Sequence, residues 1–260
     1  MKRTNIIAST GFWLMLAAIV FGIATNGGLQ TIWNFLHFPS FLVTVGGAFF
    51  GVMATADSLG DYVDGLRSIV DAYKKVEVQT DQMSQQILEL SDTARKEGLL
   101  SLEEKSQEIE NEFLSKGIRL IVDGTDPELV RDILENELQH KEERDKKRVR
   151  FWQDIGSYGP AWGMLGTLLG LVNMMRAMGS DMGAIGEGMS LALITTLYGS
   201  VLANWICIPT ARKLEKSSAE ETLGMEIAIE GVLSIQAGEN SRIIKEKIKS
   251  IMEMEEDEAA

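Results

Sequence analysis

The sequence predicts an all-α polytopic membrane protein with four transmembrane helices and a helical cytoplasmic domain. Three observations lead to this fold class. Four apolar segments are long enough to cross a bilayer, the charged residues are concentrated in two other blocks, and alternating strand patterns are nearly absent. The blocks are 57–154, with 24 acidic and 15 basic residues, and 210–260, with 12 and 7. The rest of the chain is almost uncharged, which argues against a globular enzyme.

Each span is read from a run of apolar residues. The two later runs are full length, at about 1.5 Å per residue against a hydrocarbon core of about 30 Å, and the two earlier runs are near the lower limit. Lys2 and Arg3 would also suit a signal peptide, but a clear cleavage site is missing and a second span follows closely, which favours an uncleaved span. The predicted spans are Ile6–Ala24, Pro39–Ala56, Ile155–Met178 and Ala184–Pro209.

Lysine and arginine residues near the span ends predict the orientation. The connections 25–38 and 179–183 contain none, whereas basic residues precede the third span and follow the fourth. Both termini are therefore expected in the cytoplasm, in a multi-pass protein of the cell (inner) membrane. The predicted parts are two N-terminal spans, a cytoplasmic helical domain, two long spans, and a cytoplasmic amphipathic helix with an acidic tail: 1–56, 57–154, 155–210 and 211–260.

The cytoplasmic segment reads as amphipathic helices. Ser101 and Glu104 have the spacing of a capping box, which predicts a helix start there. Asp126 followed by Pro127 predicts a second helix start. Spacings of three and four residues predict that the first helix has one apolar face, formed by Leu59, Val63, Leu66, Val70 and Tyr73.

Several function classes find no support in the residues. No phosphate-binding glycine loop, zinc motif or nucleophile elbow is present, so we expect neither an enzyme nor a metal site. Cys207 is the only cysteine, and the two histidines lie far apart in the sequence. We expect no cofactor, and the acidic soluble blocks argue against nucleic acid as a partner.

Small residues recur along one face of the third and fourth spans. The glycines of the third span are spaced by four, three and four residues, and the fourth span repeats this spacing. Small residues on one face let helix backbones approach closely in lipid. These two spans could simply pack on each other, or the stripe could serve a partner helix. The residues concerned are Gly159, Gly163, Gly166, Gly170, Gly199 and Ala203.

The same spans carry many polar residues but no ionisable group at mid-depth. Thr167, Thr195 and Thr196 are the threonines of this set. An ion path through a membrane usually needs an ionisable side chain. Either these spans conduct nothing, or they form a polar wall around a carboxylate from another chain. Pro160 and Pro209 each remove a backbone hydrogen bond, and we expect them at similar membrane depth, in a compliant zone.

With these features the whole chain resembles the MotA/PomA family of bacterial flagellar stator subunits. Two stretches, GPAWGMLGTLLGLVNMM and ALITTLYGSVLANWICIP, are similar to that family's third and fourth spans. A third, ARKEGLLSLEE, is similar to its rotor-facing motif. The order of two close spans, a helical segment, two long spans and a charged tail is also similar.

The resemblance implies roles for individual residues. Arg95 and Glu103 would engage the rotor, with Lys96 and Glu104 as lesser contributors. Pro160 and Pro209 match the family's prolines for torque coupling. The ion path and partner-facing surface would include Thr196, Thr167 and Thr195.

The resemblance also implies partners and a mechanism. Five copies would surround two copies of a MotB-like single-span subunit with an essential Asp, in the lipid bilayer. Ion flow, with H⁺ favoured and Na⁺ as the alternative, would drive torque on the flagellar rotor switch protein. The rival interpretations are an ExbB/TolQ-like energiser of other envelope processes and a non-conducting membrane scaffold. The scaffold predicts that Thr196→Ala leaves function intact.

Overall fold

The computed structural model describes residues 6–27, 29–74, 80–178 and 182–259. Throughout these ranges the regular structure is helical and no strand is formed, which confirms the all-α class. The helices are α1 Ile6–Gly27, α2 Phe38–Thr55, α3 Leu59–Ala72, α4 Thr80–Glu97, α5 Leu102–Ser106, α6 Glu112–Val122, α7 Pro127–Ala177, α8 Met182–Gln236 and α9 Ser241–Ala259, with 3₁₀ turns at Leu29–Phe35 and Leu99–Ser101.

Two of the described helices, α2 and α8, are long and apolar enough to cross a membrane, and a shorter apolar stretch covers Trp13–Gly22 in α1. The predicted third span lies within α7 except for its last residue, and its five glycines and Asn173 make the helix less apolar. The number of four spans and the predicted four-part division of the chain therefore remain predictions.

The helices form two compact units, Met1–Lys75 with Lys146–Glu215 and Val76–Asp145 with Lys216–Ala260. In the first unit, α7 and α8 pack on α2 and α3. Gly47 of α2 lies so close to the Trp162 ring that a Cβ there would be 2.4 Å from it. The core of this unit is Ala48, Val52, Ala72, Phe151, Trp152, Ile155, Leu202, Cys207, Ala211 and Leu214.

The most deeply buried residues of helix α3 are its small ones. Gly65, Ser68 and Ala72 are buried, and the Trp152 indole N–H donates to Ser68 Oγ at 3.0 Å. The packing divides the predicted apolar face: Leu66 and Tyr73 are half-buried against the core, whereas Leu59 and Val70 are 69% and 58% exposed. The small residues occupy the centre of the contact because a backbone without bulky side chains approaches α7 more closely.

The second unit has its own apolar core, built from α4, α5, α6, α9 and the adjoining parts of α7 and α8. Its glycines again mark close contacts: a Cβ on Gly231 would lie 2.7 Å from Ile87, and one on Gly117 the same distance from Val232. The fully buried side chains include Ile87, Leu102, Leu114, Ile118, Val130, Leu134, Ile227, Val232 and Ile244.

One predicted helix start is confirmed and the other is wrong in its details. Helix α7 begins at Pro127, and Asp126 Oδ1 accepts a hydrogen bond from the backbone N–H of Glu128 at 2.9 Å. Helix α5 does begin beside Ser101, but Ser101 has helical backbone angles and caps nothing. Its hydroxyl instead donates to the carbonyl of Gly98 at 2.7 Å, which closes the preceding 3₁₀ turn.

Candidate functional site

Two threonine hydroxyls face each other between α7 and α8. Thr167 Oγ1 and Thr196 Oγ1 are 2.7 Å apart. Thr167 Oγ1 also lies 3.1 Å from the carbonyl of Gly163 and 3.0 Å from that of Ala192, and Thr196 Oγ1 lies 3.2 Å from the same Ala192 oxygen. Thr196 is exposed and Thr167 is half-buried. The pair therefore forms a polar patch at the surface of the α7–α8 hairpin.

The hydrogen bonding leaves this pair able to serve a further group. Each hydroxyl has one proton and two lone pairs. Two protons are shared among the two hydroxyls and the carbonyls of Gly163 and Ala192. Lone pairs consequently stay available for a protonated acid or a cation at the surface, and a hydroxyl can turn to donate to a carboxylate.

Thr195 is not part of this surface. It is fully buried, and its hydroxyl bonds the carbonyls of Leu191 and Ala192 in its own helix at 3.0 and 3.1 Å. Its backbone carbonyl is 3.4 Å from Thr44 Oγ1 of α2. Thr195 therefore packs inside the protein, where its hydroxyl shares the Ala192 carbonyl with the Thr167–Thr196 pair.

The glycine stripe brings the two helices of the hairpin into backbone contact. A Cβ would lie 2.9 Å from the carbonyl of Thr195 if built on Gly163 and 2.5 Å from that of Gly188 if built on Gly170. From α8, a Cβ on Gly199 would lie 2.5 Å from the carbonyl of Gly159. Gly166 meets the Thr195 side chain, and Ala203 is buried. The small residues are thus used within the chain, where they bring Thr167 and Thr196 together.

The two prolines lie on facing helices of the hairpin, α7 and α8. Pro160 lies inside α7 and is exposed, and a Cβ on Gly199 would approach its Cα to 3.1 Å. Gly156, one turn from Pro160 toward the N-terminus, contacts Cys207 and Ile208. Pro209 follows Ile208 directly and so lies between one and two helical turns, roughly 5–11 Å, from the level of Pro160, and the similar membrane depth of the two prolines stays a prediction.

Wider π-helical turns occur in both α2 and α8. In α8 the turn Leu202–Cys207 ends just before Pro209. A proline ring clashes with the carbonyl four residues back and has no N–H to donate, so a wider turn accommodates it. In α2 the turn Leu42–Gly46 has no proline, and we have no physical account of it.

Some polar residues of the fourth span form hydrogen bonds to backbone groups of the same chain. The Tyr198 hydroxyl donates to the carbonyl of Phe35 and accepts from the backbone N–H of His37, the latter at 3.0 Å. Asn204 Nδ2 donates to the carbonyl of Ser200 at 2.9 Å, within its own helix. Sequence reasoning missed both the Tyr198 contact and the shared Ala192 carbonyl, since a backbone acceptor leaves no signature in the sequence.

The second unit presents the four predicted rotor-facing charges on its surface. Arg95 and Lys96 are exposed in the last turn of α4, and Glu103 and Glu104 are exposed in α5. Within the part of the chain that the structure describes, none of these four side chains forms an ion pair or a hydrogen bond. The 3₁₀ turn Leu99–Ser101 separates the basic residues from the acidic ones.

Comparison with known proteins gives consistent matches. Residues 105–227 match the model of the MotA/TolQ/ExbB proton channel family. Motility protein A of Treponema phagedenis is 37% identical over 238 residues, which cover 92% of this chain and 90% of that protein.

Solved structures match over a similar length. The structure of C. jejuni MotAB aligns with a TM-score of 0.85 and 25% identity over 95% of both chains. The flagellar MotAB stator complex from Bacillus subtilis aligns with a TM-score of 0.81 and 26% identity over 94% of both. The chain is thus similar to a motility protein A along nearly its whole length. It belongs to the MotA/TolQ/ExbB proton channel family, and within that family it is similar to the motility protein A members.

Proposed function

We propose that this protein is a stator subunit of the bacterial flagellar motor that couples ion flow across the cell membrane to torque on the rotor. The observation that carries the proposal is the surface pair of Thr167 and Thr196 hydroxyls, 2.7 Å apart. It lies on a hairpin of a chain that aligns with MotAB chains over more than nine-tenths of its length.

The proposal needs a carboxylate from a second protein. No acidic or basic residue lies between Ile155 and Met175, or between Gly188 and Thr210. A MotB-like single-span subunit would bring an Asp to the hydroxyl pair. The pair can donate to that side chain when it is ionised and accept from it when it is protonated. No cofactor is required besides the transported ion.

Protonation, or binding of Na⁺, would neutralise the partner's Asp and reduce the cost of moving it past apolar surface. H⁺ is the favoured ion in this proposal, because the hydroxyl pair can follow both protonation states. Na⁺ is the alternative, since hydroxyl and carbonyl oxygens are suitable ligands for a hard cation. The neutralised contact would then let the ring of subunits step around the partner.

The arrangement would consist of five copies around a partner dimer, in the inner membrane and with both termini in the cytoplasm. The hairpin leaves a wide apolar surface beside the threonine pair, which lipid, partner and neighbouring copies would cover. Its exposed residues include Met164, Leu165, Leu168, Leu169, Met189 and Leu193. The orientation follows from the basic residues near the inner ends of the third and fourth spans.

The four unpaired charges of the second unit would transmit the force. Arg95, Lys96, Glu103 and Glu104 are exposed and have no partner within the described residues, so their charges are available to another protein. Their two signs favour a rotor surface that carries charges of both signs as well. Pro160 and Pro209 would accommodate the bending that accompanies each step.

Deletion of the gene tests the proposed function most directly. Cells that carry this stator system alone are expected to build intact filaments that never rotate, and the wild-type gene is expected to restore rotation. Varying the sodium and proton gradients separately in the rescued cells would then identify the ion. Normal swimming of the deletion strain, with no second stator system present, would contradict the proposal and favour the ExbB/TolQ-like or scaffold interpretation.

A further inference from the structure

The turn between the two pairs of rotor-facing charges carries a prominent apolar side chain. Leu100 is 74% exposed, more than the other large apolar side chains at the described surface of the second unit, Leu129 at 52% and Ile243 at 50%. It follows Arg95 by five residues and precedes Glu103 by three. Leu100 is not part of the core of the second unit, so core packing does not account for a large apolar side chain at this position.

The fold holds Leu100 firmly in this exposed position. Gly98 ends α4 with φ of 87°, a left-handed conformation that suits glycine, and its N–H donates to the carbonyl of Ala94 at 2.9 Å. Leu99 packs against the apolar core and Leu102 is fully buried. Leu99 and Leu102 thus anchor the turn to the core, while Leu100 between them points outward.

Side-chain hydrogen bonds fix the same turn from outside. The N–H and the hydroxyl of Ser101 both donate to the carbonyl of Gly98, at 3.2 and 2.7 Å. Lys105 Nζ donates to Thr93 Oγ1 at 2.8 Å and so links α5 to α4. Because the turn is already ordered, burial of Leu100 by a partner would cost little conformational entropy.

We propose that Leu100 is the apolar anchor of the rotor-facing surface and enters an apolar pocket on the rotor protein. The rim of that pocket would carry an acidic side chain opposite Arg95 and Lys96 and a basic one opposite Glu103 and Glu104. Protein interfaces commonly combine an apolar centre that loses its water with a charged rim that sets orientation. This inference rests on the proposed stator function, and it assigns the binding free energy chiefly to Leu100 and the alignment to the four charges.

The test compares three variants in cells where this protein is the only stator subunit of its kind. Leu100→Ser removes the apolar side chain, Leu100→Met keeps it, and Leu129→Ser makes the same change at another exposed leucine. Binding of the rotor protein to the purified stator complex is expected to weaken about tenfold for Leu100→Ser. The other two variants are expected to stay within about twofold of the wild type, and rotation of tethered cells should follow the same order.

A second measurement does not depend on how well Leu100→Ser accumulates. Leu100→Cys can be labelled with a membrane-permeable maleimide, because the natural Cys207 is fully buried. Labelling is expected to be several-fold slower in cells with the rotor protein than in cells without it. A Leu129→Cys control is expected to label equally in both.

The outcomes separate this inference from the proposed function. Wild-type binding by Leu100→Ser, or equal labelling of Leu100→Cys with and without the rotor protein, would overturn the anchor. If reversing the charges of Arg95 and Glu103 still stopped rotation in that case, the stator function would stand. Normal rotation of both the Leu100→Ser and the charge-reversal variants would overturn the anchor and the rotor-facing role of the charges, and the deletion strain would then decide the stator function.

Discussion

Arg148 and Asp64 form a two-point ion pair between α7 and α3: Nε lies 2.7 Å from Oδ2 and Nη2 lies 2.8 Å from Oδ1. The planar guanidinium suits this double contact, whereas a lysine ammonium offers a single point charge. The pair lies beside the buried Trp152–Ser68 hydrogen bond. Together these contacts attach α3 to α7 at polar positions, although Leu59 and Val70 on α3 are exposed.

Loss of the two-point pair is expected to destabilise the protein modestly. Arg148→Lys keeps the charge but loses the two-point contact of the guanidinium. We expect a loss of about 1–2 kcal/mol in the free energy of unfolding. Thermal unfolding of the purified complex would measure it. Arg150→Lys is the matched control, since Arg150 is largely exposed and only reaches Asp154 at 3.9 Å. Equal melting temperatures for Arg148→Lys and the wild type would show that the two-point contact contributes nothing to stability.

Closure of the hairpin is expected to depend on Gly170. In Gly170→Ala the new methyl group would lie 2.5 Å from the carbonyl of Gly188, so the backbones must separate. Overpacking of this kind costs about 1–3 kcal/mol, and we expect less protein in the membrane and impaired rotation. Gly186→Ala is the control in the same hairpin, because nothing lies within 4 Å of a Cβ there. Rotation by Gly170→Ala at the speed of Gly186→Ala would contradict the packing argument.

The hydroxyl of Thr196 is expected to matter more than its shape. Thr196→Val keeps the branched side chain but removes the donor and acceptor that face Thr167, so we expect a several-fold loss of torque, whereas Thr196→Ser retains most of it. Torque from rotating beads, with membrane levels measured in parallel, distinguishes the two. Thr25→Val serves as the control, since the Thr25 hydroxyl bonds only carbonyls of its own helix, at 3.0 and 3.1 Å. Full torque from Thr196→Val would favour the scaffold interpretation.

Lys247 makes the stability of the second unit depend on pH. Its ammonium lies 2.8 Å from Glu230 and 2.9 Å from Glu239. The hydrogen bonds that Lys247 donates to Glu230 and Glu239 raise the pKa of Lys247 above 10.5, and the bond to Glu239 lowers the pKa of that carboxyl below 4.5. The lowered carboxyl pKa contributes stability above pH 4.5 that is lost as pH falls through the folded pKa. The raised lysine pKa contributes stability below pH 10.5 that is lost as pH rises through the folded pKa.

We therefore expect Lys247→Met to lower the melting temperature at pH 7, where two carboxylates would face each other without their cation. The difference from the wild type should shrink as the pH falls below 4.5. Lys245→Met provides the control, because Lys245 is exposed on the same helix. Unfolding curves at several pH values would measure both variants, and a pH-independent difference would rule out the linkage.

The helical class and the site region could be predicted from the sequence because they depend on local patterns. Apolar runs, the Asp126–Pro127 start and the regular glycine spacing all appear within a few residues of one another. The buried face of α3 could not be predicted that way. Periodicity identifies the most apolar side of a helix, whereas Gly65 is buried because Phe151 occupies the space that a side chain would need.

Which threonine is buried and which is exposed could not be predicted from the sequence either. Thr195 and Thr196 are neighbours, and on a helix neighbours point about 100° apart. Which of them is buried depends on where α2 and α7 pack, and those contacts join residues far apart in the chain, such as Thr44 with Thr195. For Ser101 the alternatives are local: a capping hydroxyl accepts from a backbone N–H, whereas here it donates to the carbonyl of Gly98.

The seam of the hairpin, the contact between α7 and α8 lined by Gly159, Gly163, Gly170 and Gly199, limits how such a protein can evolve. Along the seam a single added methyl group meets backbone, so substitutions there are confined to the smallest residues. On the outer side, Met164 and Leu168 are 63% and 55% exposed, so the close contact between the helices does not limit the size of these side chains. A lineage could therefore retune its ion preference or its partner by outward substitutions alone, without having to evolve a new way of assembling the hairpin.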